Sequence, residues 1–259
     1  MTEIEIKKAL ELKVGENYQA KVLIYADSGT GKTWSIRTFP KPIFVIDTDG
    51  GELTNRGIEG IDYVDINPDR IVKGTLPKAW ERFDKAMEYF IEHKEEYRTL
   101  VWDSLTTIAD AALAYLMWLN RHQITGNKDD KGVSLPDLNM EKQVTIDRLM
   151  WAVGTGKHFV CICHEEIVKN ELTGIVARMP FARGQLQGKI GKWFDEIYYA
   201  RLKQDKDGKV RGYWLVKSDS PMYISKTRLG NTEEIEIEQP ADFIKYAEKC
   251  GVILKGSVE

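Results

Sequence analysis

The octapeptide Ala26-Asp27-Ser28-Gly29-Thr30-Gly31-Lys32-Thr33 constrains this chain more than any other stretch. Residues 22–25 (VLIY) ahead of it read as a buried strand, and residues 32–39 behind it as a helix. A strand that turns through glycines into a helix opening on Lys-Thr has the layout of a phosphate-binding P-loop, which presupposes a sheet flanked by helices. Gly29 and Gly31 let successive backbone N–H groups turn inward as an anion-binding nest, reinforced by the positive end of the following helix. Lys32 is expected to reach the outer phosphates and the Thr33 hydroxyl to hold Mg²⁺, with Asp27, Ser28, Gly29, Thr30 and Gly31 lining the phosphates. Ala26 stands where the strict pattern has glycine, and its side chain is small enough for the turn. The implied ligand is a nucleoside triphosphate, Mg²⁺·ATP. Trp34, next along, either meets the adenine or faces the core.

The rest of the chain continues the α/β pattern. Pro40 and Pro42 stop the first helix and introduce residues 43–47 (IFVID), a continuous apolar run of the kind a buried parallel strand carries. Residues 61–66 alternate and read as a strand toward the sheet edge. A helix is expected over 76–95, where Trp80, Phe83, Met87 and Phe90 recur at helical spacing as a core stripe. A strand at 99–103 and a helix to about Asn120 follow. Residues 121–137 are polar and carry Gly126, Gly132 and Pro136, which predicts a surface loop before a helix at 141–153 and a strand at 158–163. Strands alternating with helices imply a doubly wound, mostly parallel sheet. Beyond Cys163 the pattern turns antiparallel: residues 167–169 and 175–178 flank one hairpin signal, residues 194–202 and 210–216 flank Asp205-Lys206-Asp207-Gly208, and a last helix covers 241–249.

The 259 residues suit a single α/β domain over 1–259, its core at about 18–230 with a C-terminal helix at 240–250. No apolar run is long enough to span a membrane, and the acidic Met1-Thr2-Glu3-Ile4 is unlike a secretory leader, so a cytoplasmic protein is expected. Cys161 and Cys163 share one face of an apolar strand without a second ligand pair, which reads as buried thiols rather than a metal site. A net charge of −3 gives no global pull toward nucleic acid, so any such site must be local.

Several residues fit chemistry around a bound triphosphate. Asp103 ends an apolar strand, where a carboxylate holds Mg²⁺ beside the phosphates; it or Ser104 also fits a helix N-cap. Asp47 and Asp49 close the second strand, where a carboxylate orients or deprotonates the attacking water, and Glu52 competes for that role. His164 and Glu165 end the strand at 159–163, a position from which a side chain senses the γ-phosphate. Lys226 and Arg228 share one side of what reads as the end of the last antiparallel strand, and such a pair neutralises transition-state charge in a neighbouring subunit's site. Residues 121–137 and 169–192 are candidate polymer contacts, the second carrying Lys169, Arg178, Arg183, Lys189 and Lys192 with Phe181 and glycines.

The ordered set ADSGTGKT, FVIDTDGG, LVWDS, CICHEE, FDEIYYAR and SKTRLG resembles the RecA-like recombinase core over roughly residues 20–230, and within it the small phage ATPases that anneal single strands. The resemblance implies a RecA-like P-loop fold with antiparallel strands added at the C-terminal side of the sheet. By position, Asp49 falls on the family's catalytic glutamate, His164 on its γ-phosphate sensor, and Lys226 with Arg228 on the Lys-x-Arg pair inserted across a subunit interface. Residues 121–137 and 165–188 fall on the two DNA-binding loops. The implied partners are single-stranded DNA, further copies of the chain in a ring or filament, and a single-strand DNA-binding protein, with no membrane. The expected activity is Mg²⁺-dependent, DNA-coupled ATP hydrolysis serving annealing or strand exchange. A helicase-like motor on the same core, a P-loop kinase for a small molecule, and a non-catalytic ATP-gated DNA-binding module remain alternatives.

Overall fold

The computed structural model describes residues 18–67, 75–120, 133–169, 171, 174–182, 186–187, 189–218, 220–229, 234–252 and 254. Apolar runs buried on both faces form the centre of the sheet, because a strand covered on both sides has no solvent face to keep polar. These are β1 (Lys21–Ala26), β2 (Ile43–Asp47), β4 (Thr99–Asp103) and the first half of β5 (His158–Lys169). The alternating segment β3 (Ile61–Asp65) lies at one edge, as its pattern predicts. β7 (Glu196–Gln204), β8 (Val210–Leu215) and β9 (Glu238–Pro240) extend the other side, giving the order β3-β2-β4-β5-β1-β7-β8-β9. Pairing is parallel from β3 through β7 and antiparallel for β7–β8 and β8–β9. β6 (Val176–Pro180) pairs antiparallel with the far half of β5.

Helices cover both faces. On one, Phe83 of α2 (Ala79–Glu92) meets Trp102 edge-on at 5.1 Å, and Trp102 meets Phe159 at the same spacing. α3 (Leu105–Leu119) and α4 (Leu135–Val153) complete this layer, with Leu105, Ile108, Ala112 and Leu149 in the core. On the other face, Phe243 of α5 (Phe243–Lys249) stacks on Phe39 at 4.4 Å, and Tyr246 meets Tyr198 edge-on at 5.9 Å. Each fully buried large ring contributes about 1.5–3 kcal/mol, so α5 is an integral part of the core.

Four local expectations are corrected. The helix after the P-loop, α1, covers only Lys32–Ser35 and tightens into a 3₁₀ turn at Ile36–Thr38, where Phe39 is already extended ahead of Pro40. α4 begins at Leu135 instead of 141. Pro136 lies in its first turn, where a missing N–H costs nothing, and Ser134 with Asp137 forms a capping box. β5 does not stop at Cys163 but runs on to Lys169, its parallel pairing to β1 ending at His164 and its antiparallel pairing to β6 starting at Glu165. Lys226 and Arg228 do not end a strand. Lys226 makes an isolated bridge to Ile197, and the last antiparallel strand is β9.

Candidate functional site

Ligands in open α/β sheets bind outside the carboxyl ends of the strands. There, β1 delivers the P-loop, β2 delivers Asp47 and Asp49, β4 delivers Asp103, and β5 delivers His164. Gly29 and Gly31 take φ of 77° and 88°, left-handed values that side chains rarely adopt and that an inward-facing nest needs. Because α1 is a single turn, the nest and Lys32 carry more of the anion site than a long helix dipole would.

Lys32 is buried, and its ammonium donates to the Ala26 carbonyl at 3.0 Å and the Asp27 carbonyl at 2.7 Å. Burial lowers its pKa, and Asp103 opposes that shift. A buried ammonium resting on neutral carbonyls, without a directly bonded carboxylate, favours an incoming anion.

The Thr33 hydroxyl donates to Asp103 at 2.7 Å across the sheet. Gly51 packs over this pair: a Cβ there would stand 3.0 Å from the Thr33 methyl and 3.4 Å from the Asp103 oxygen. Burial pushes the Asp103 carboxyl up to about 6, with the Thr33 hydrogen bond acting the other way. A hydroxyl and a buried carboxylate side by side fit Mg²⁺ that takes its remaining ligands from phosphate and water. Cys161 and Cys163 are free and buried, and among the described residues no group of three or more His, Cys, Asp or Glu side chains is arranged to hold a metal.

Asp49 and Asp47 part ways. Asp49 accepts from His164 Nε2 at 3.0 Å with one oxygen and from the Thr107 hydroxyl with the other. Burial opposes its charge, yet hydrogen bonds from His164, Thr107 and Ser104 hold its pKa below the usual carboxylate value. Asp47 is fully buried. One of its oxygens accepts the Asp49 N–H at 3.0 Å and the other has no partner, while burial, with Asp103 and Glu52 nearby, pushes its carboxyl up to about 7. Of the two aspartates and Glu52, Asp49 is the one joined to His164. His164 also sits at the junction of β5: its N–H donates to the Thr106 hydroxyl at 3.1 Å and its carbonyl accepts the Phe181 N–H at 2.7 Å. Thr106 and Thr107 had only one signal in the sequence, their place in the first turn after Asp103. Asn55, whose amide donates to the Thr33 carbonyl at 2.8 Å and the Tyr63 hydroxyl at 2.9 Å, had none.

Trp34 does not face the core. It is 44% exposed, and the Arg37 guanidinium lies 4.8 Å from its ring centre. The Lys226 ammonium is tied to the Gly191 carbonyl at 2.8 Å and to that of Phe194, and Arg228 pairs with Asp195 at 2.8 Å while most of its side chain stays exposed. Lys169 lies near Glu171 at 3.9 Å, Arg178 pairs with Glu165, and Lys189 lies in the turn before Trp193. Arg183 and most of the 121–137 segment lie outside the described residues. Among the described residues no helix is long and apolar enough to cross a membrane.

Residues 18–229 match the family model described as an AAA domain. No curated protein matches the chain.

Proposed function

The chain belongs to the AAA domain family, and from this P-loop ATPase core we propose a Mg²⁺-dependent ATPase that binds single-stranded DNA and promotes its annealing or strand exchange. The observation that carries the reading is the continuity of β5. One strand holds His164 against Asp49 at the nucleotide end and then forms, with β6, the hairpin that bears Lys169 and Arg178. Lys32 and the nest would bind the β- and γ-phosphates, with Thr33 and Asp103 holding the metal. Bound there, Mg²⁺ supplies charge neutralisation on the phosphate oxygens. Asp49, held ionised, orients the attacking water, and His164 shares Asp49 with that water, so its hydrogen bonding changes when the γ-phosphate arrives or leaves. Because His164 also fixes Thr106 and Phe181 through its backbone, such a change reaches the segment that starts at Phe181.

The exposed Arg228 is the member of the Lys226–Arg228 pair suited to a neighbouring protomer's site in a ring or filament. A second reading, an ATP-gated DNA-binding module, draws on Asp49 having both oxygens already engaged. Annealing of complementary fluorescent oligonucleotides separates the two. The first reading expects annealing that needs hydrolysable ATP and fails in Lys32→Ala. Equal annealing with a non-hydrolysable analogue favours the module, and annealing indifferent to nucleotide overturns both.

A further inference from the structure

A cleft of about 640 Å³ opens beside the P-loop. Gly31 and Trp34 form its near wall, Leu202 and Val210 of the β7–β8 hairpin its second, and Pro240 and Ala241 its third. The hairpin lies against the loop itself, since a Cβ on Gly31 would stand 3.8 Å from the Leu202 methyl. Three of the lining side chains are large, apolar and well exposed: Trp34 at 44%, Leu202 at 46% and Val210 at 63%. An apolar concavity of this size that shares a residue with a phosphate site has the form of a ligand pocket with its polar anchor at one end.

From this we infer that the cleft receives the nucleobase of the bound nucleotide, stacked on Trp34, and that it grips the base by its faces rather than reading its edge. The inference rests on the proposed triphosphate site and adds the part of the ligand that the P-loop does not specify. The two charged lining residues have partners of their own: the Arg211 Nε donates to Asp205 at 2.6 Å, and Asp242 caps α5 through the Lys245 N–H at 3.2 Å and its ammonium at 3.1 Å. A pocket that offers stacking and few free side-chain hydrogen-bonding groups tolerates any base with a suitable π-face. Pro240, Ala241 and Asp242 also lie beyond residues 18–229, so one wall of this nucleotide site comes from outside the span shared with the family. The packing of Phe243 on Phe39 holds that wall against the residue that ends the P-loop's 3₁₀ turn.

The test is equilibrium binding of Mg²⁺·ATP, Mg²⁺·GTP and inorganic tripolyphosphate to the full chain and to Trp34→Ala, Trp34→Phe, Val210→Trp and Lys32→Ala. Trp34→Ala is expected to weaken ATP and GTP by about ten- to a hundredfold and to leave tripolyphosphate unchanged, with Trp34→Phe recovering most of the loss. Val210→Trp, at an exposed position of the cleft wall, fills the cleft and is expected to weaken both nucleotides in the same selective way. Unmodified chain is expected to bind ATP and GTP within about tenfold of each other. Wild-type ATP affinity in both Trp34→Ala and Val210→Trp overturns the assignment, as does an equal loss of tripolyphosphate. A preference for ATP well beyond tenfold overturns the stacking-only recognition. Unimpaired binding of all three ligands by Lys32→Ala would instead sink the triphosphate site itself, a separate failure that the tripolyphosphate column identifies.

Discussion

Lys32 and Lys226 are held in the same way for different ends. Each is a buried or half-buried ammonium donating to two backbone carbonyls, and burial lowers the pKa of each. Around Lys32 the backbone turns through two left-handed glycines, and Thr33, Asp103, Asp49 and His164 converge from four strand ends. Around Lys226 the carbonyls of Gly191 and Phe194 belong to the turn that leads into β7, and the next segment is fixed by Glu196, which accepts the Arg228 N–H at 2.6 Å and the Leu229 N–H at 3.0 Å. The first lysine stands among the groups of the candidate nucleotide site. The second pins one segment of the chain to another. A cation's role is therefore set by what else faces it, and equal hydrogen-bond partners do not imply equal function.

The sharpest way to break this contrast is substitution of the two lysines side by side. Lys32→Ala is expected to lower ATPase kcat/KM by about a thousandfold or more, the scale of removing a charged group from a developing phosphate oxyanion. Lys226→Ala should leave it within a fewfold, and a comparable loss there would make Lys226 a chemical participant. Arg228→Ala comes next, with an expected fall in rate of about a hundredfold if the guanidinium serves a neighbour's nucleotide. Mixing it with Lys32→Ala should restore activity, because mixed interfaces then pair an intact P-loop with an intact Arg228; no recovery in such mixtures argues against a shared site. Smaller again is the stability cost of Lys226→Ala, about 2 kcal/mol for charged hydrogen bonds in a partly buried setting, seen as a fall in Tm of roughly 4–8 °C by calorimetry. An unchanged Tm would remove its pinning role.

A separate expectation concerns the pH dependence of the nucleotide-free fold. Asp47 has its pKa raised from the ordinary carboxylate value to about 7, chiefly by burial. The folded state then binds more protons than the unfolded state between about pH 4 and 7, so this group's contribution to stability falls as pH rises through that window. Thermal melts without Mg²⁺ are expected to show a shallower decline over pH 5–8 in Asp47→Asn than in the unmodified chain. Identical slopes would show that Asp47 is not the group responsible.

Much of the phosphate end was legible in the sequence because its chemistry is local. The P-loop spacing, the aspartates that end β2 and β4 and the order of βα units each lie within a few consecutive residues, and all recur in the fold. The edge position of β3 followed from its alternation in the same way. What escaped was set by contacts distant in sequence. Nothing near Trp34 foretold that Val210 and Ala241 would complete a cleft beside it, or that Asn55 would bind the Thr33 carbonyl. Lys226 and Arg228 looked like twins at a strand end, yet the turn before β7 ties down the half-buried Lys226 while Arg228 stays exposed. Pro136 looked like part of a loop because proline breaks helices in their interior, and only Ser134 and Asp137 together reveal a first turn.

The central claim is that a triphosphate site at His164 and Asp49 communicates along β5 with a DNA-binding surface. It is tested most directly by the steady-state rate of Mg²⁺·ATP hydrolysis with and without single-stranded oligonucleotide. The predicted result is a rate that rises with oligonucleotide in the unmodified chain and stays low and unresponsive in Lys32→Ala. A rate unaffected by DNA, or phosphate delivered to a small acceptor instead of water, would contradict it.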